Sequence, residues 1–346
     1  MKQKITSAVL GSTGYTGLEL INVLSKHPNV TINFLGSDTF SGEEIKKFDN
    51  RITNKFLPKL DFVKNIDLSN IDVVFLAFPH AVSHKFVKEN INKSNIIDLS
   101  ADFRLNDNEI YKKNYKKEHS CPNLLDQFIY GLPEINHTLI QKGRNIAMPG
   151  CYPTSVLLPL IPLFKENIIK SENIIIDSKS GYSGAGKKFD LKKISNNGEH
   201  NFYNYNTNQH RHICEINQEL SKYSISQVKF SFNPHIMPIF RGMMSTLYCD
   251  LQQNINTQDV NMCLKNYYVN SNFVHIVNNE DKADFFKVQN TNNCYIKIFK
   301  HYDESKIVVV SLIDNLLKGA SGQAVQCMNI MFGYDENLGL DNLKGV

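Results

Sequence analysis

The sequence predicts an α/β fold, in which a doubly wound parallel sheet is joined to a second domain of α+β type. Short apolar runs alternate with amphipathic helical patterns in the first half of the chain, whereas long polar connections separate strand-like runs after residue 150. A chain of 346 residues with 42% hydrophobic content is long enough for two domains. The expected boundaries are 1–150 with 315–346 for the first domain and 151–314 for the second.

The alternation in the first half predicts parallel βαβ units. The strand-like runs "ITSAVL", "VTINFLGS", "IDVVFLAF" and "SNIIDLS" alternate with the helical patterns "GLELINVLSKH" and "AVSHKFVKEN". In the first of these patterns, Leu18, Ile21 and Leu24 recur every three residues, so we expect them to face the sheet.

The second half predicts a mixed, largely antiparallel sheet. Its strand-like runs are "NIIIDSK", "QVKFSF", "MMSTLYCDL", "CYIKIF" and "KIVVVSLI". The segment at 315–333 then predicts a helix that returns to pack on the first domain. The Asn- and Tyr-rich stretch at 196–209 is interpreted as a compositional bias without a function of its own.

Charge and cysteine content narrow the function classes. The net charge of +4, from 38 basic and 34 acidic residues, predicts neither a nucleic-acid nor a membrane partner, and the run "YKKNYKK" at 111–117 is more typical of a solvated helix face. Seven cysteines without a CxxC pair argue against disulfides and structural zinc, so we expect reduced thiols, a cytoplasmic location and no metal. No signal-peptide core precedes the first strand, and no apolar stretch is long enough for a membrane span.

The stretch "VLGSTGYTG" predicts a dinucleotide site of Rossmann type, because its glycines follow a strand and lead into a helix. Gly11 would permit a tight turn, Gly14 a close approach to pyrophosphate, and Gly17 close helix packing. A purely structural turn is the alternative. The predicted cofactor-binding residues here are Gly11, Ser12, Thr13, Gly14, Tyr15, Thr16 and Gly17.

The end of the second predicted strand, "LGSDTFSG", bears on the choice of cofactor. Ser37 is predicted to lie beside the cofactor. Asp38 could bind a ribose 2′-hydroxyl and would repel a 2′-phosphate, which favours NAD. Lys46 and Lys47 lie nearby and favour NADP instead.

The stretch "AMPGCYPTS" at 147–155 predicts a strand, a tight turn and a helix that begins near Cys151. Free backbone N–H groups and the macrodipole at a helix N-terminus favour an anion. A thiol pKa of about 8.5 can fall to roughly 3.5–7.5 in such a setting. The alternative is a buried cysteine that acts as a small hydrophobic residue, and the local sequence leaves both readings open.

Two further segments offer partners for a reactive thiol. In "NQHRHICEI", His210 and His212 are expected to have different tasks, and Glu215 could orient an imidazole; surface histidines at the start of a helix are the alternative. The loop "SKSGYSGAGKK" at 178–188 could surround an anion with backbone donors and bring Lys187 or Lys188 near phosphate, or it could be a mobile linker. Arg104 and Arg241 are also candidate anion contacts.

With these segments in order, the chain resembles the N-acetyl-γ-glutamyl-phosphate reductases, the arginine-pathway members of the aspartate-semialdehyde dehydrogenase superfamily. The matching stretches are "GSTGYTG", "DLSADFRL", "YGLPEIN", "PGCYPTS", "SGYSGAG", "HRHICEI", "PHIMPIFRGMMST" and "DNLLKGASGQAVQ". The resemblance implies Cys151 as nucleophile, His210 as acid/base and Glu215 as a third catalytic residue. The resemblance also implies NADP as cofactor, with NAD as the alternative because of Asp38, and a homodimer or homotetramer built through the sheet of the second domain. The other residues assigned with it are Ser183, Gly184 and Asn315 for the cofactor, and Arg104, Ser180, His212 and Arg241 for the substrate.

The implied reaction is reduction of an acyl phosphate through a cysteine thioester, in which His210 helps ionise the thiol and then moves a proton at oxygen. Related substrates, aspartyl or aminoadipyl phosphate, and a non-catalytic dinucleotide-binding redox sensor are the alternatives. The sequence departs from the family pattern at Ser37-Asp38, where the family usually has Ser-Arg, and at Cys214, where proline is common.

Overall fold

The computed structural model describes residues 4–278, 280–341 and 343. The described residues divide into two compact units: those up to Pro149 together with those from Ala320 onward, and Gly150–Gly319. Gly150 and residues 315–319, which the sequence assigned to the first domain, lie in the second unit. Hydrogen bonds inside the second unit account for this, because the Gly150 N–H donates to Glu215 and the Asn315 amide donates to Ser183.

The first unit contains the predicted parallel sheet. Its strands have the order β3-β2-β1-β4-β5-β7-β6, and every neighbouring pair is parallel. In α1, Leu18, Ile21 and Leu24 are buried, as their spacing predicted. The strands are β1 Ile5–Leu10, β2 Val30–Gly36, β3 Leu60–Asp61, β4 Val73–Leu76, β5 Asn95–Asp98, β6 Ile129–Tyr130 and β7 Asn145–Ala147; the helices are α1 Tyr15–Leu24, α2 Ser83–Asn90, α3 Asn108–Tyr115 and α4 Pro133–Lys142.

The tyrosines of the basic run at 111–117 pack inside the first unit. Tyr111 is fully buried in α3 and donates a hydrogen bond of 2.9 Å to Oδ1 of buried Asp102, and Tyr115 stacks on Tyr111 with ring centroids 4.9 Å apart. The tyrosines therefore belong to the packing of the first unit, whereas Lys112 and Lys113 are exposed.

The second unit contains the predicted mixed sheet, in the order β11-β12-β8-β13-β16-β15-β14. The pairs β8–β12 and β14–β15 are parallel and the other pairs are antiparallel. Helix α5 packs on β13 and β16, and the Ser155 hydroxyl on α5 is 2.7 Å from that of Ser245 on β13. The strands are β8 Ile174–Gly181, β9 Ser195–Asn196, β10 Glu199–His200, β11 Tyr203–Asn204, β12 Phe230–Met237, β13 Met243–Asp250, β14 Val274–Ile276, β15 Cys294–Lys300 and β16 Lys306–Ile313; the helices are α5 Cys151–Lys165, α6 His212–Ser221 and α7 Thr257–Tyr267.

The helix predicted at 315–333 forms as a π-helical turn, Leu317–Ser321, followed by α8, Gly322–Met331. Helix α8 packs in the first unit against α1 and α4. The Ser321 hydroxyl donates to the Thr16 carbonyl at 3.0 Å, and the Gln326 amide donates to the Glu134 carboxylate at 3.0 Å. The predicted return of the chain to the first domain is confirmed.

No helix in the described part of the chain combines the length and the apolar character that crossing a membrane requires.

Candidate active site

The glycine loop of the first unit allows α1 to begin directly against the sheet. It connects β1 to α1, and Gly11 has φ +81°, a conformation that side chains other than glycine rarely adopt. A Cβ on Gly11 would lie 2.4 Å from the Ala77 carbonyl oxygen, and one on Gly17 would lie 2.4 Å from the Gly11 carbonyl oxygen. Glycine is therefore required at both positions for α1 to begin directly against the sheet, with its N-terminal N–H groups at the carboxyl ends of the strands.

The other loop residues predicted to hold the cofactor surround this turn. Gly14 is the extended N-cap residue of α1, and Tyr15 and Thr16 open the helix, while Thr13 is half-buried in the turn. The Ser12 side chain is buried and donates to the Val9 carbonyl at 2.8 Å, so only its backbone can serve a ligand. Ser37 is buried after β2, and its N–H donates to the Asp61 carbonyl.

Cys151 is the first residue of α5, as predicted from "AMPGCYPTS". Gly150 is the extended N-cap residue, with φ −67° and ψ 154°, and its carbonyl accepts the first helical hydrogen bond from the Thr154 N–H at 2.9 Å. The thiol is half-buried at the positive end of the helix dipole, which stabilises a thiolate. All seven cysteines lie in the described part of the chain, and each is a thiol.

Glu215 and His212 hold the residue that precedes the thiol. The buried Glu215 carboxylate accepts a hydrogen bond of 2.8 Å from the Gly150 N–H. The His212 ring packs so closely on Gly150 that a Cβ there would lie 2.6 Å from its Nε2 atom. Glu215 therefore acts on the helix N-terminus that presents Cys151, a contact that sequence reasoning did not foresee.

His210 is a buried, neutral imidazole. Its pKa is lowered to about 4, first by burial and then by the charge of Arg211. Its Nδ1 atom accepts the His212 backbone N–H at 3.1 Å, so the proton of the neutral ring is on Nε2. Nε2 is 3.5 Å from the hydroxyl of Tyr205.

Tyr205 and Tyr152 form a hydrogen-bonded chain that begins at His210, and sequence reasoning missed both. The Tyr205 hydroxyl donates to that of Tyr152 at 3.3 Å, and the Tyr152 hydroxyl donates to the His235 carbonyl at 3.2 Å. The pKa of Tyr205 is raised to about 12, mainly by burial and in part by the nearby charge of Cys151. Tyr205 lies in the 196–209 stretch that was interpreted as compositional, and its position five residues before His210 was the signal that could have identified it.

Two of the cofactor-binding residues predicted in the second unit, Asn315 and Ser183, are hydrogen-bonded to each other. The Asn315 amide donates to the Ser183 hydroxyl at 2.8 Å, and its oxygen accepts the Gly242 N–H at 2.8 Å. Ser183 and Gly184 lie in the short 3₁₀ helix Tyr182–Ala185 after β8, and the Ser180 hydroxyl donates to the Gly181 carbonyl at 3.0 Å. Lys187 and Lys188 are exposed beyond this helix.

Arg241 and Arg104 are buried and bound to protein groups, each within its own unit. Arg241 Nε is 3.3 Å from the buried Asp314 carboxylate, and its guanidinium also donates to Asn290. Arg104 donates to the carbonyls of Met148, at 2.6 Å, and Leu99, at 3.1 Å. Their roles as substrate contacts stay predictions.

Cys214 fits into α6 without disturbing the Glu215 contact. Its thiol donates to the Arg211 carbonyl at 2.9 Å, and burial raises its pKa to about 12. Among the described residues no cluster of three or more His, Cys, Asp or Glu side chains could hold a metal ion.

Comparison with known proteins identifies similar domains in both halves of the chain. The model of the semialdehyde dehydrogenase NAD binding domain matches residues 6–143, and that of the semialdehyde dehydrogenase dimerisation domain matches residues 151–315. The N-acetyl-gamma-glutamyl-phosphate reductase of Ehrlichia chaffeensis is 42% identical over 99% of both chains. The probable chloroplastic enzyme of the same name from Arabidopsis thaliana is 39% identical over 98% of this chain and 84% of its own.

Two solved structures with lower sequence identity share the fold of this chain. Aspartate semialdehyde dehydrogenase II from Vibrio cholerae, complexed with ASA, gives a TM-score of 0.70 at 17% identity, over 95% of this chain and 98% of that one. Aspartate semialdehyde dehydrogenase with NADP from Candida albicans gives 0.65 at 17% identity, over 97% and 100%.

Proposed function

The chain belongs to the N-acetyl-gamma-glutamyl-phosphate reductase family of semialdehyde dehydrogenases, and we propose that it reduces N-acetyl-γ-glutamyl phosphate to N-acetyl-glutamate semialdehyde with release of phosphate, a step of arginine biosynthesis. The observation that carries this proposal is the helix N-terminus at Cys151, whose N-cap N–H is bound by buried Glu215. The charge of Cys151 acts on Tyr205, whose hydroxyl lies 3.5 Å from His210 Nε2.

Cys151 is the nucleophile of the proposed reaction. The thiolate, stabilised by the N-terminus of α5 after its proton has passed to water, attacks the γ-acyl carbon. A carbon–sulfur bond forms, the bond from carbon to the phosphate oxygen breaks, and the leaving phosphate takes up a proton from water. The product of this half-reaction is a thioester on Cys151.

Reduction of the thioester needs a hydride and a stabilised oxyanion. A reduced nicotinamide dinucleotide, when bound, supplies the hydride to the thioester carbon. His210 stabilises the resulting thiohemiacetal oxyanion, because its Nε2–H is a hydrogen-bond donor while Nδ1 is engaged by the His212 N–H. Collapse of this intermediate breaks the carbon–sulfur bond, releases the aldehyde and restores the thiolate.

In this mechanism His210 interacts mainly with the oxygen of the thiohemiacetal and not with the Cys151 thiol. Accepting the thiol proton at Nε2 would require the other tautomer, which would cost the hydrogen bond from the His212 N–H. Glu215 serves as a positioning residue through Gly150. Arg104, Ser180, His212 and Arg241 remain the proposed contacts for the two anionic ends of the substrate.

The proposed cofactor-binding residues of the first unit are those of the glycine loop and Ser37, and those of the second unit are Ser183, Gly184 and Asn315. The tight turn at Gly11 and the N-terminus of α1 that follows it support the binding of a pyrophosphate. The family resemblance favours NADP, and the carboxylate of Asp38 favours NAD.

The chain is proposed to form a homodimer or homotetramer through the sheet of the second unit. One row across this sheet exposes three large apolar side chains: Ile175 (49%), Tyr248 (39%) and Phe299 (40%). They share a row because Tyr248 pairs with Ile175 on one side and with Val308 on the other, and Val308 in turn pairs with Phe299. An apolar row of this kind is typical of an interface between subunits. Sedimentation of the protein and of a Tyr248→Lys variant tests this, since a monomeric wild-type protein would contradict it.

A cytoplasmic location is proposed because the seven cysteines, all within the described residues, are thiols, which is typical of a reducing compartment.

The test of the proposed function is phosphate-dependent reduction of NAD⁺ or NADP⁺ by N-acetyl-glutamate semialdehyde, followed by absorbance. Cys151→Ala is the inactive variant and Cys214→Ala the matched control, since the Cys214 thiol stays protonated at neutral pH. We expect turnover only when phosphate is present and Cys151 is intact. Faster turnover with aspartate semialdehyde would favour a related substrate, and tight dinucleotide binding without turnover would favour the redox sensor.

A further inference from the structure

We infer that Asp38 makes this chain select NADH over NADPH, an inference that rests on the proposed dinucleotide site and goes beyond the reaction itself. The family resemblance favours the phosphorylated cofactor, so the inference assigns this chain a specificity different from the one that the resemblance implies. It depends on three features of the first unit: the position of Asp38, the fixed orientation of its carboxylate, and the pairing of the nearby lysines.

The position of Asp38 is set by the contact between β2 and the glycine loop. In the parallel pair β1–β2, Leu10 is opposite Gly36, and the N–H groups of Gly11 and Ser12 both donate to the Gly36 carbonyl at 3.1 Å. Asp38 follows Gly36 by two residues and is exposed. In dinucleotide-binding sheets the adenosine ribose lies over this strand end, and an acidic side chain here binds its hydroxyls.

The Asp38 carboxylate is held in place by the backbone. Its Oδ1 atom accepts the Val63 N–H at 2.9 Å, at the start of the short 3₁₀ helix Val63–Asn65. A carboxylate has about four acceptor positions on its two oxygens, so this hydrogen bond leaves Oδ2 able to accept from ribose hydroxyls. Holding the acceptor in advance lowers the entropic cost of binding the ribose.

The two lysines that the sequence indicated near this strand end, Lys46 and Lys47, are paired with acids of their own segment. Lys46 is 2.6 Å from the carboxylate of Glu44, and Lys47 forms an ion pair with Glu43. These exposed pairs are individually weak. A 2′-phosphate would nevertheless have to displace a carboxylate from each lysine before it could bind the ammonium group. The two ion pairs carry no net charge, so together they do not attract an anion.

Asp38 therefore adds an uncompensated carboxylate oxygen at the strand end where the ribose is expected. A phosphate monoester carries a charge of about −1.5 to −2 at neutral pH. At a few ångströms from a carboxylate, even with the dielectric constant of water, such a charge is repelled strongly enough to weaken binding roughly tenfold. The lost hydrogen bond between the carboxylate and the 2′-hydroxyl adds to this difference.

The experiment is a fluorescence titration of the full chain with NADH and with NADPH in the absence of acyl substrate, so that binding is read without turnover. The variants are Asp38→Asn, which keeps an oxygen for the Val63 N–H, and Asp38→Ser. The matched control is Glu304→Gln, which removes an exposed carboxylate from the second unit. Because both nucleotides are measured on each preparation, the ratio of their dissociation constants does not depend on the folded fraction.

We expect the wild-type protein to bind NADH at least about tenfold more tightly than NADPH. Asp38→Asn and Asp38→Ser should reduce this ratio to near one or invert it, and Glu304→Gln should leave it unchanged. Salt should narrow the wild-type ratio, because it screens the repulsion. Tighter wild-type binding of NADPH, or a ratio insensitive to Asp38, would overturn the inference. If the inference fails in this way but phosphate-dependent turnover is observed, the proposed function still holds. Binding of neither nucleotide would overturn both the inference and the proposed function.

Discussion

Gly150→Ala tests whether the contacts around Gly150 present the thiol. Gly150 has φ −67°, which alanine adopts without strain, so the effect of the substitution comes from the new Cβ. That atom would lie 2.6 Å from His212 Nε2 and 3.0 Å from Pro153 Cδ. Overpacking of a buried site costs about 1–3 kcal/mol. For a unit of this size, each kcal/mol lowers the melting temperature by roughly 2–4 °C.

The assay is calorimetric melting with Gly14→Ala as matched control. Gly14 is also an extended N-cap glycine, but its Cβ would be 3.6 Å from the nearest atom. Gly150→Ala should therefore melt at a lower temperature than Gly14→Ala, and turnover should fall about 10²-fold because the thiol is displaced. Adding Gly150→Ala to a His212→Ala background should cost much less stability than adding it to the wild type. Equal melting of the two single variants, or equal costs in the two backgrounds, would refute the reasoning.

The remaining predictions concern the other groups of the thiol cluster. Glu215→Gln keeps an oxygen acceptor for the Gly150 N–H, so this variant should retain at least tenfold more activity than Glu215→Ala. Glu215→Ala leaves that N–H unsatisfied, which should lower the free energy of unfolding by about 1–3 kcal/mol. An equal loss of activity in both variants would argue against a positioning role. Iodoacetamide at neutral pH should alkylate Cys151 and not Cys214, whose pKa is raised to about 12. Peptide mapping measures the extent of alkylation at each cysteine, and faster alkylation of Cys214 would contradict the prediction. Acid should lower the free energy of unfolding between pH 6.5 and 4, because an unfolded histidine binds a proton over this range while His210, with its pKa lowered to about 4, does not. This contribution is at most on the order of 3 kcal/mol. In urea unfolding at several pH values, the His210→Asn variant should lose less stability on acidification than the wild type.

The backbone was largely predictable from local patterns. Leu18, Ile21 and Leu24 predicted a buried helix face, and the Pro-Gly before Cys151 predicted where α5 begins, because periodicity and turn chemistry are local properties. The parallel sheet followed from the alternation of strands and helices.

The side-chain partnerships were less predictable. Glu215 was expected to orient an imidazole, yet its carboxylate binds the Gly150 N–H, 65 positions away along the chain. Tyr205 was overlooked because an Asn-rich context resembles a compositional bias, although its hydroxyl lies beside His210. Contacts of this kind depend on how the chain packs α6 and the segment before it against α5, which no spacing rule specifies.

If Cys151 carries the acyl group during the reaction, that group can be trapped on its sulfur. The protein is mixed with N-acetyl-γ-glutamyl phosphate without reduced dinucleotide, quenched in acid and analysed by intact mass and peptide mapping. We expect one N-acetyl-glutamyl adduct on Cys151, which hydroxylamine removes and the Cys151→Ala variant lacks. An adduct on another residue, or phosphate release without any adduct on Cys151 at the earliest times, would contradict this expectation.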